Sequence, residues 1–171
     1  LHPIAVAKIC VEEIGLGVRS TICALLHDTV EDTDLSLEDV EREFGNEIAR
    51  IVDGLTKISN VIDVNASQQA ENFKKILLTL TDDPRVILIK LSDRLHNMRT
   101  LDSMKREKQL KISSETVYVY APLAHRMGLY SIKTEMEDLA MKYMEPDVYK
   151  DIARKLEENK KERTKYINEF I

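Results

Sequence analysis

The sequence predicts an all-α fold, and three observations support this class. Apolar residues recur every three to four positions along most of the 171 residues. Residues that start or stop helices stand between these periodic stretches, among them Pro3, Gly15 and Ser36. Hydrophobic residues make up 43% and charged residues 32% of the chain, with only 5 Gly and 4 Pro, a composition typical of a folded helical protein.

The first two predicted helices are separated by glycines. Pro3 suits a first helical turn, and the helix that it opens has an apolar stripe formed by Ile4, Ala7, Cys10 and Ile14. Gly15 and Gly17 end this helix. A second helix is predicted over 18–30, and its centre, 22–26, should be buried because nearly every residue there is apolar.

The next two predicted helices begin at polar residues. Ser36, followed by Asp39, resembles a capping box for a third helix, which ends at Gly45. A fourth helix is predicted over 46–57, with an inward face formed by Ile48, Ile51, Val52 and Leu55. Residues 58–67 show no clean period, so they are predicted to form a loop.

The second half of the chain continues the helical pattern. Helices are predicted over 67–81, 84–101, 131–144 and from Pro146 onward. The one over 84–101 has an inward face formed by Val86, Ile87, Ile89, Leu91 and Leu95. A polar joint is predicted over 102–108. Residues 117–120 have high β-propensity but lie between helical stretches with no partner strand in view, so they are predicted to be helical. Gly128 is predicted to end a helix.

Composition and charge exclude several classes of protein. No apolar run approaches the roughly 20 residues that a membrane span needs, and no signal peptide is predicted. The formal net charge of −5 argues against broad nucleic-acid binding. Cys10 and Cys23 are predicted to be buried free thiols, which fits a cytoplasmic protein. Because the chain opens at Leu1 inside a helical pattern, we expect it to be a fragment.

Four titratable side chains fall within six positions near the end of the second helix. On a continuous helix, His27 and Glu31 lie on neighbouring turns of one face, as do Asp28 and Asp32. Crowded carboxylates repel one another, and a buried group of them needs a cation. Taken alone, this stretch fits a metal site and an exposed acidic turn equally well.

Two further residues favour the metal site. His2 precedes His27 by one helix and one turn, so an antiparallel helix pair would bring the two imidazoles together. Asp93 lies at the end of an apolar run, where it should face the core and needs a partner. Two histidines and two aspartates suit a divalent ion with mixed nitrogen and oxygen ligands. Mn²⁺ or Fe²⁺ fits this set better than structural Zn²⁺.

Several strings of the sequence carry a family resemblance. They are His2-Pro3-Ile4, LHDTVEDT (26–33), VDGLTK (52–57), VILIKLSDRLHNMRT (86–100) and YAPLAHRMG (120–128). The pattern His…His-Asp…Asp resembles the signature of the HD-domain metal-dependent phosphohydrolases. More closely, the chain resembles the amino-terminal half of the long RelA/SpoT-type enzymes, which make and degrade the alarmones ppGpp and pppGpp. The fold implied by this resemblance is an HD-domain helical bundle with a single metal site.

The resemblance also implies roles for individual residues. It implies Mn²⁺ held by His2, His27, Asp28 and Asp93, a catalytic acidic pair, and a nucleotide pocket. The acidic pair is Glu31 and Asp32, and the pocket positions are Asn97 and Thr100. The implied reaction removes pyrophosphate from the ribose 3′ position of (p)ppGpp and leaves GDP or GTP, as part of the stringent response.

The family pattern further predicts the surroundings of this domain. We expect a hydrolase domain over 1–145 and a helix over 146–171 that leads to a downstream synthetase domain, with no direct partner among nucleic acids or membranes. The family also has a basic, Ser/Gly-containing loop before the His-Pro pair, and the sequence does not contain it. If the whole protein lacks this loop, we expect weaker nucleotide binding and slower turnover.

Two alternative functions stay open alongside the alarmone hydrolase. One is an HD phosphohydrolase for deoxynucleotides or cyclic dinucleotides, and the other is a regulatory domain that restrains a fused synthetase. Arg94 and Arg99 are candidate cations for an anionic substrate, but a structural ion pair or solvent exposure is the favoured interpretation for each. His96 lies within reach of the site and His125 far from it, and both are predicted to have structural roles.

Overall fold

The computed structural model describes residues 2–62 and 83–170, and these ranges are helical with no β-strand. The all-α prediction is therefore confirmed. The helices are α1 (His2–Glu12), α2 (Val18–Leu26), α3 (Thr29–Asp32), α4 (Leu37–Phe44), α5 (Asn46–Ile62), α6 (Pro84–Arg99), α7 (Arg106–Glu115), α8 (Ala121–Arg126), α9 (Tyr130–Met144) and α10 (Pro146–Phe170). A 3₁₀ turn, Leu101–Ser103, follows α6, and a π-helix, Thr116–Tyr120, joins α7 to α8.

Helix α6 lies at the centre of the main hydrophobic core. It packs against α1, α2, α5 and α9, and its predicted inward face is buried at every position: Val86, Ile87, Ile89, Leu91 and Leu95. The predicted inward face of α5 is buried as well. A smaller cluster at the end of α6 contains Met98, Leu101, Ala140 and Tyr143. Any polar residue on the inner side of α6 is therefore held rigidly at the middle of the domain.

The second predicted helix ends earlier than expected. Helix α2 stops at Leu26, and α3 is a separate short helix, so the prediction of one helix over 18–30 was wrong. Polar side chains intercept the last carbonyls of α2: the His27 ring bonds the carbonyl of Ala24 over 2.7 Å, and the Thr29 hydroxyl donates to the carbonyl of Leu26. The four titratable residues of 27–32 consequently do not share one helical face.

Two connecting segments also differ from the prediction. The loop predicted over 58–67 is helical over 58–62, because Ile58 is buried and extends the packed face of α5. The rest of that loop and the whole of the helix predicted over 67–81 lie outside the described residues. The polar connecting segment predicted over 102–108 ends before Arg106, where α7 begins. Residues 117–120 are helical as predicted, although they form a π-helix.

Burial of the first two helices is one-sided. Ile4 is 58% exposed and Leu25 is 45% exposed, so neither belongs to the core as the apolar pattern predicted. Cys10 and Cys23 are buried free thiols, as predicted. Burial raises the pKa of Cys23 to about 12. Among the described helices, none has the length and apolarity that crossing a bilayer demands.

Gly54 allows α5 and α6 to approach closely. A Cβ atom built at this position would lie 2.9 Å from Cγ2 of Val86, which is shorter than side chains tolerate. Val86 is itself buried and β-branched, so it has little freedom to move away. The glycine of the VDGLTK string thus has a packing role between the two helices that carry much of the core.

Candidate metal centre

Three separate elements bring four predicted ligands together. His2 lies on the first turn of α1, His27 and Asp28 form the turn between α2 and α3, and Asp93 lies in the middle of α6. Each of His2, His27 and Asp93 offers one ligand atom, and these three atoms lie within 4.8 Å of one another. Asp28 joins them, because its Oδ2 is 2.9 Å from Nε2 of His27 and 3.8 Å from Nε2 of His2.

The spacing and chemistry of these atoms fit a divalent cation. Nε2 of His2 lies 3.2 Å from Nε2 of His27 and 3.1 Å from Oδ1 of Asp93. Neighbouring ligands of a six-coordinate ion with bonds of about 2.1 Å are about 3.0 Å apart. Two imidazole nitrogens and two carboxylate oxygens are donors that Mn²⁺, Fe²⁺ and Zn²⁺ accept. His2 and Asp28 are partly exposed, so the centre is open on one side.

The charges of this centre balance one another. Burial opposes ionisation of Asp93, but the hydrogen bond from His2 and the charges of Lys90 and His27 hold the pKa of this carboxyl well below its usual range. Burial likewise opposes protonation of His27, but the hydrogen bond with Asp28 and the charge of Asp93 raise the pKa of the imidazole. In the metal-free protein, Lys90 and His27 therefore supply positive charge beside the carboxylates that a cation would otherwise neutralise.

Lys90 is a residue that the sequence reasoning missed. Its Nζ lies 3.1 Å from Oδ2 of Asp93, on the side of the carboxylate away from the histidines, and its side chain is only 12% exposed. Burial disfavours the ammonium, yet the neighbouring Asp93 raises the pKa of Lys90. The available signal was a lone charged residue inside the apolar run of α6, one helical turn before Asp93.

The remaining predicted site residues are placed around these ligands in different ways. Glu31 and Asp32 are exposed on α3 and do not join the converging ligand atoms. Asn97 donates its amide to Oδ1 of Asp93 over 2.8 Å. Thr100 is exposed at the end of α6, where its hydroxyl donates to the carbonyl of His96 over 3.0 Å. Their catalytic and nucleotide-binding roles stay predictions.

The two arginines near the site are held by structural ion pairs. Arg94 is mostly buried, with 12% of its side chain exposed, and pairs with Glu115 3.0 Å away. Its guanidinium stacks 4.1 Å from the ring centre of Tyr120. Arg99 bonds both Glu13 and Glu135 over 2.6–3.0 Å and so connects α6 to α9 and to the turn that follows α1. The structural interpretation made from the sequence is therefore correct for both residues.

The two remaining histidines differ in their distance from the site. His96 lies on α6 and contacts His2, with 2.8 Å between their Nδ1 atoms. His125 is exposed and packs edge-on against Tyr130, away from the four ligands. His96 therefore has the structural hydrogen bond that was predicted from the sequence, and the partner in this bond, His2, is one of the predicted ligands.

Comparison with known proteins identifies the family. Residues 1–130 match the family described as "HD domain". The chain belongs to the HD domain family. A solved structure described as "A metazoan ortholog of SpoT hydrolyzes ppGpp and plays a role in starvation responses" has a similar fold. Its TM-score is 0.56 at 23% identity, over 84% of this chain and 80% of that one. The expected HD-type helical fold is thus confirmed.

Relatives of this HD domain match over its whole length. It is 44% identical over 171 residues to a protein of Aquifex aeolicus (strain VF5) named guanosine-3′,5′-bis(diphosphate) 3′-pyrophosphohydrolase, covering 100% of this chain and 24% of that protein. It is 48% identical over 174 residues to a GTP pyrophosphokinase of Myxococcus xanthus, covering 99% of this chain and 23% of that protein. The resemblance to the RelA/SpoT-type enzymes is confirmed, and the chain spans about a quarter of the length of these relatives.

Proposed function

We propose that this HD domain is a metal-dependent hydrolase that removes pyrophosphate from the ribose 3′ position of ppGpp and pppGpp, leaving GDP or GTP. The observation that carries the proposal is the convergence of His2, His27 and Asp93, with Asp28 beside them, on one partly open point. The substrate class is supported by the relative from Aquifex aeolicus, whose name specifies a 3′-pyrophosphohydrolase of guanosine-3′,5′-bis(diphosphate).

The metal that we propose is Mn²⁺, held by His2, His27, Asp28 and Asp93. Mixed nitrogen and oxygen donors with a partly open side support a catalytic ion in preference to a structural one. When bound, such an ion lowers the pKa of a water ligand and polarises a phosphoryl oxygen. Four protein ligands leave positions for water and for substrate on a six-coordinate ion.

Glu31 and Asp32 have the proposed catalytic roles. They follow the ligand Asp28 by one turn of chain, and both are exposed, so their carboxylates are accessible to a substrate that reaches the open side. One of them accepts the proton of the attacking water as its oxygen bonds the phosphorus attached to ribose O3′. The bond between that phosphorus and O3′ then breaks, O3′ takes up a proton, and pyrophosphate leaves.

The nucleotide pocket is proposed to include Asn97 and Thr100. Asn97 lies in the last turn of α6 and Thr100 directly follows this helix, both on the C-terminal side of Asp93. Arg94 and Arg99 are already paired with glutamates, so neither supplies a free cation for the phosphates. Charge neutralisation of this highly anionic substrate therefore depends on the proposed Mn²⁺ and on groups beyond these two arginines.

The wider setting of the domain follows from its longer relatives. Because the chain covers about a quarter of them, and one is named GTP pyrophosphokinase, we infer that the whole protein also has a synthetase domain. We place the domain boundary between 145 and 146, where α10 begins. In this proposal the protein is cytoplasmic and sets alarmone levels in the stringent response, without contacts to nucleic acid or membrane through this domain.

The decisive test is pyrophosphate release from ppGpp in the presence of Mn²⁺. We expect release by the native protein, loss with EDTA, and loss in Asp93→Asn, which keeps the shape of the side chain but weakens the ligand. Glu31→Gln and Asp32→Asn should lose turnover while Mn²⁺ still binds, and the larger loss identifies the base. Asp34→Asn changes an exposed carboxylate of the following turn, and it should hydrolyse ppGpp at the native rate.

Two results would overturn the proposal in different ways. Faster Mn²⁺-dependent turnover of a deoxynucleoside triphosphate or a cyclic dinucleotide than of ppGpp would indicate another HD phosphohydrolase. Binding of Mn²⁺ with no turnover of any of these nucleotides would indicate a regulatory domain.

A further inference from the structure

The two ring nitrogens of His2 have different neighbours. Its Nε2 faces the other ligands, 3.2 Å from Nε2 of His27 and 3.1 Å from Oδ1 of Asp93. Its Nδ1 faces the opposite way and lies 2.8 Å from Nδ1 of His96. The His2 and His96 rings are 4.7 Å apart and tilted by 58°, which is the geometry of a hydrogen bond between ring edges and not of a stacked pair.

The two ring nitrogens of His27 also face different neighbours, but the partner of its Nδ1 is a backbone carbonyl. Its Nε2 faces the ligand cluster, and its Nδ1 bonds the backbone carbonyl of Ala24 over 2.7 Å. A carbonyl only accepts, so Nδ1 of His27 carries a proton, and Nε2 is the nitrogen that would bind a metal ion. The His27 side chain is also fully buried, whereas that of His2 is 30% exposed. His2 therefore depends more on a side-chain partner to fix its ring.

The bond between His2 and His96 has one arrangement that suits a metal ligand. A lone pair on Nε2 of neutral His2 requires the proton to be on Nδ1, and Nδ1 then donates to Nδ1 of His96. His96 accepts this bond only if its own proton is on Nε2. The position of His96, three residues after Asp93 on α6, places it on the same helical face as that ligand.

We propose that His96 is a positioning residue that accepts a hydrogen bond from His2 and so holds the His2 ring with Nε2 free to bind the metal. The inference rests on the metal site of the proposed function and adds a residue that acts through one of the ligands. His96 is not itself part of the group whose ligand atoms lie within 4.8 Å among the residues that the structure describes. Its contact is with the nitrogen of His2 that faces away from that group.

Mn²⁺ affinity, measured by titration calorimetry, tests this role without any substrate. His96→Leu removes the acceptor, and we expect the dissociation constant to rise about 10- to 100-fold, as when the partner of a ligating histidine is lost. His96→Asn places an amide oxygen about where Nδ1 stands, so it should stay within about 3-fold of the native value. His125→Leu is the matched control, because this exposed histidine contacts Tyr130 and not the ligands.

A native-like affinity in His96→Leu would overturn the inference and leave the proposed function intact. Absence of Mn²⁺ binding in the native protein would overturn both. The ring-nitrogen NMR spectrum of the native protein loaded with diamagnetic Zn²⁺ gives a second readout that does not depend on a variant. We expect a protonated Nδ1 and a metal-bound Nε2 in His2, and a metal-bound Nδ1 would contradict the proposed bond.

Discussion

The ammonium of Lys90 lies 3.1 Å from Oδ2 of Asp93, one helical turn away on α6. The other oxygen of Asp93 faces His2 and accepts the amide hydrogen of Asn97. One oxygen of this carboxylate thus forms a buried ion pair, and the other faces the candidate metal centre. Both side chains of the ion pair are nearly inaccessible, so the two charges depend on each other for solvation.

Replacing Lys90 should destabilise the metal-free protein. Lys90→Met keeps most of the side-chain volume but leaves the buried Asp93 without its ammonium, which costs about 3 kcal/mol of unfolding free energy. Because a bound cation also neutralises Asp93, the loss should be smaller when Mn²⁺ is present. Urea unfolding at neutral pH, with EDTA and with Mn²⁺, measures both values.

The control for this variant is Lys133→Met. Lys133 pairs with Glu137 on the surface of α9, where their side chains are 30% and 41% exposed. Its loss should change the unfolding free energy by less than about 0.5 kcal/mol. Equal effects of the two variants would mean that the Lys90–Asp93 pair contributes no more than a surface ion pair.

Removal of metal should lower the melting temperature. A ligand that binds only the folded protein stabilises it by about 2.7 kcal/mol at a concentration 100 times its dissociation constant. We therefore expect EDTA to lower the melting temperature of the native protein and excess Mn²⁺ to restore it. Asp93→Asn should respond to neither, and an undiminished response in that variant would place the bound ion elsewhere.

Gly54→Ala should destabilise the packing of α5 on α6. The added Cβ would lie 2.9 Å from Cγ2 of Val86, and overpacking of this kind costs about 1–3 kcal/mol. The better helix propensity of alanine returns about 1 kcal/mol, so a net loss is expected. Urea unfolding checks this value. In the double variant Gly54→Ala/Val86→Ala the contact disappears, so its loss of unfolding free energy should be smaller than the sum of the two single losses. A loss equal to that sum would exclude the clash.

Asp83 should contribute a pH-dependent part of the stability. It caps α6 by accepting the backbone N–H of Arg85 over 3.0 Å, and its hydrogen bonds with the Arg85 guanidinium hold the pKa of Asp83 below its usual value. A carboxyl with a lower pKa in the folded state stabilises the protein above its unfolded pKa, about 3.9, and loses that contribution as the pH falls through the folded value.

The measurement for Asp83 compares unfolding free energies from pH 7 to pH 3. The advantage of the native protein over Asp83→Asn should be constant above about pH 5 and shrink below about pH 4. In an Arg85→Met background the dependence on pH should be weaker, because the main cause of the pKa shift is gone. A difference that grows as the pH falls would contradict the assignment.

Much of the fold was predictable because helical periodicity is local. The spacing of Ile48, Ile51, Val52 and Leu55 correctly predicted the buried face of α5, and Ser36 with Asp39 forms the predicted capping box at the start of α4. The candidate ligands were predictable for another reason. The titratable residues of 27–32 fitted a metal site and an acidic turn equally well, and His2 and Asp93 favoured the metal site. The choice of Mn²⁺ and the roles of Glu31 and Asp32 came from the resemblance of several strings to one family.

Tertiary structure decided the contacts between residues that are far apart in the chain. Periodicity shows which side of a helix is apolar but not which neighbour covers it, so the exposure of Ile4 and Leu25 was not predictable. The end of α2 depended on side-chain hydrogen bonds that compete with the helix, and these have no signal in hydrophobic spacing.

The same limit applies to the surroundings of the metal centre. The sequence by itself determined that His2, Asp93 and His96 are present, and that the last two are one helical turn apart. The packing of α1 against α6 decided that one nitrogen of His2 meets Asp93 and the other meets His96. A distance across 94 residues is set by how two helices cross, which depends on the side chains of both at once.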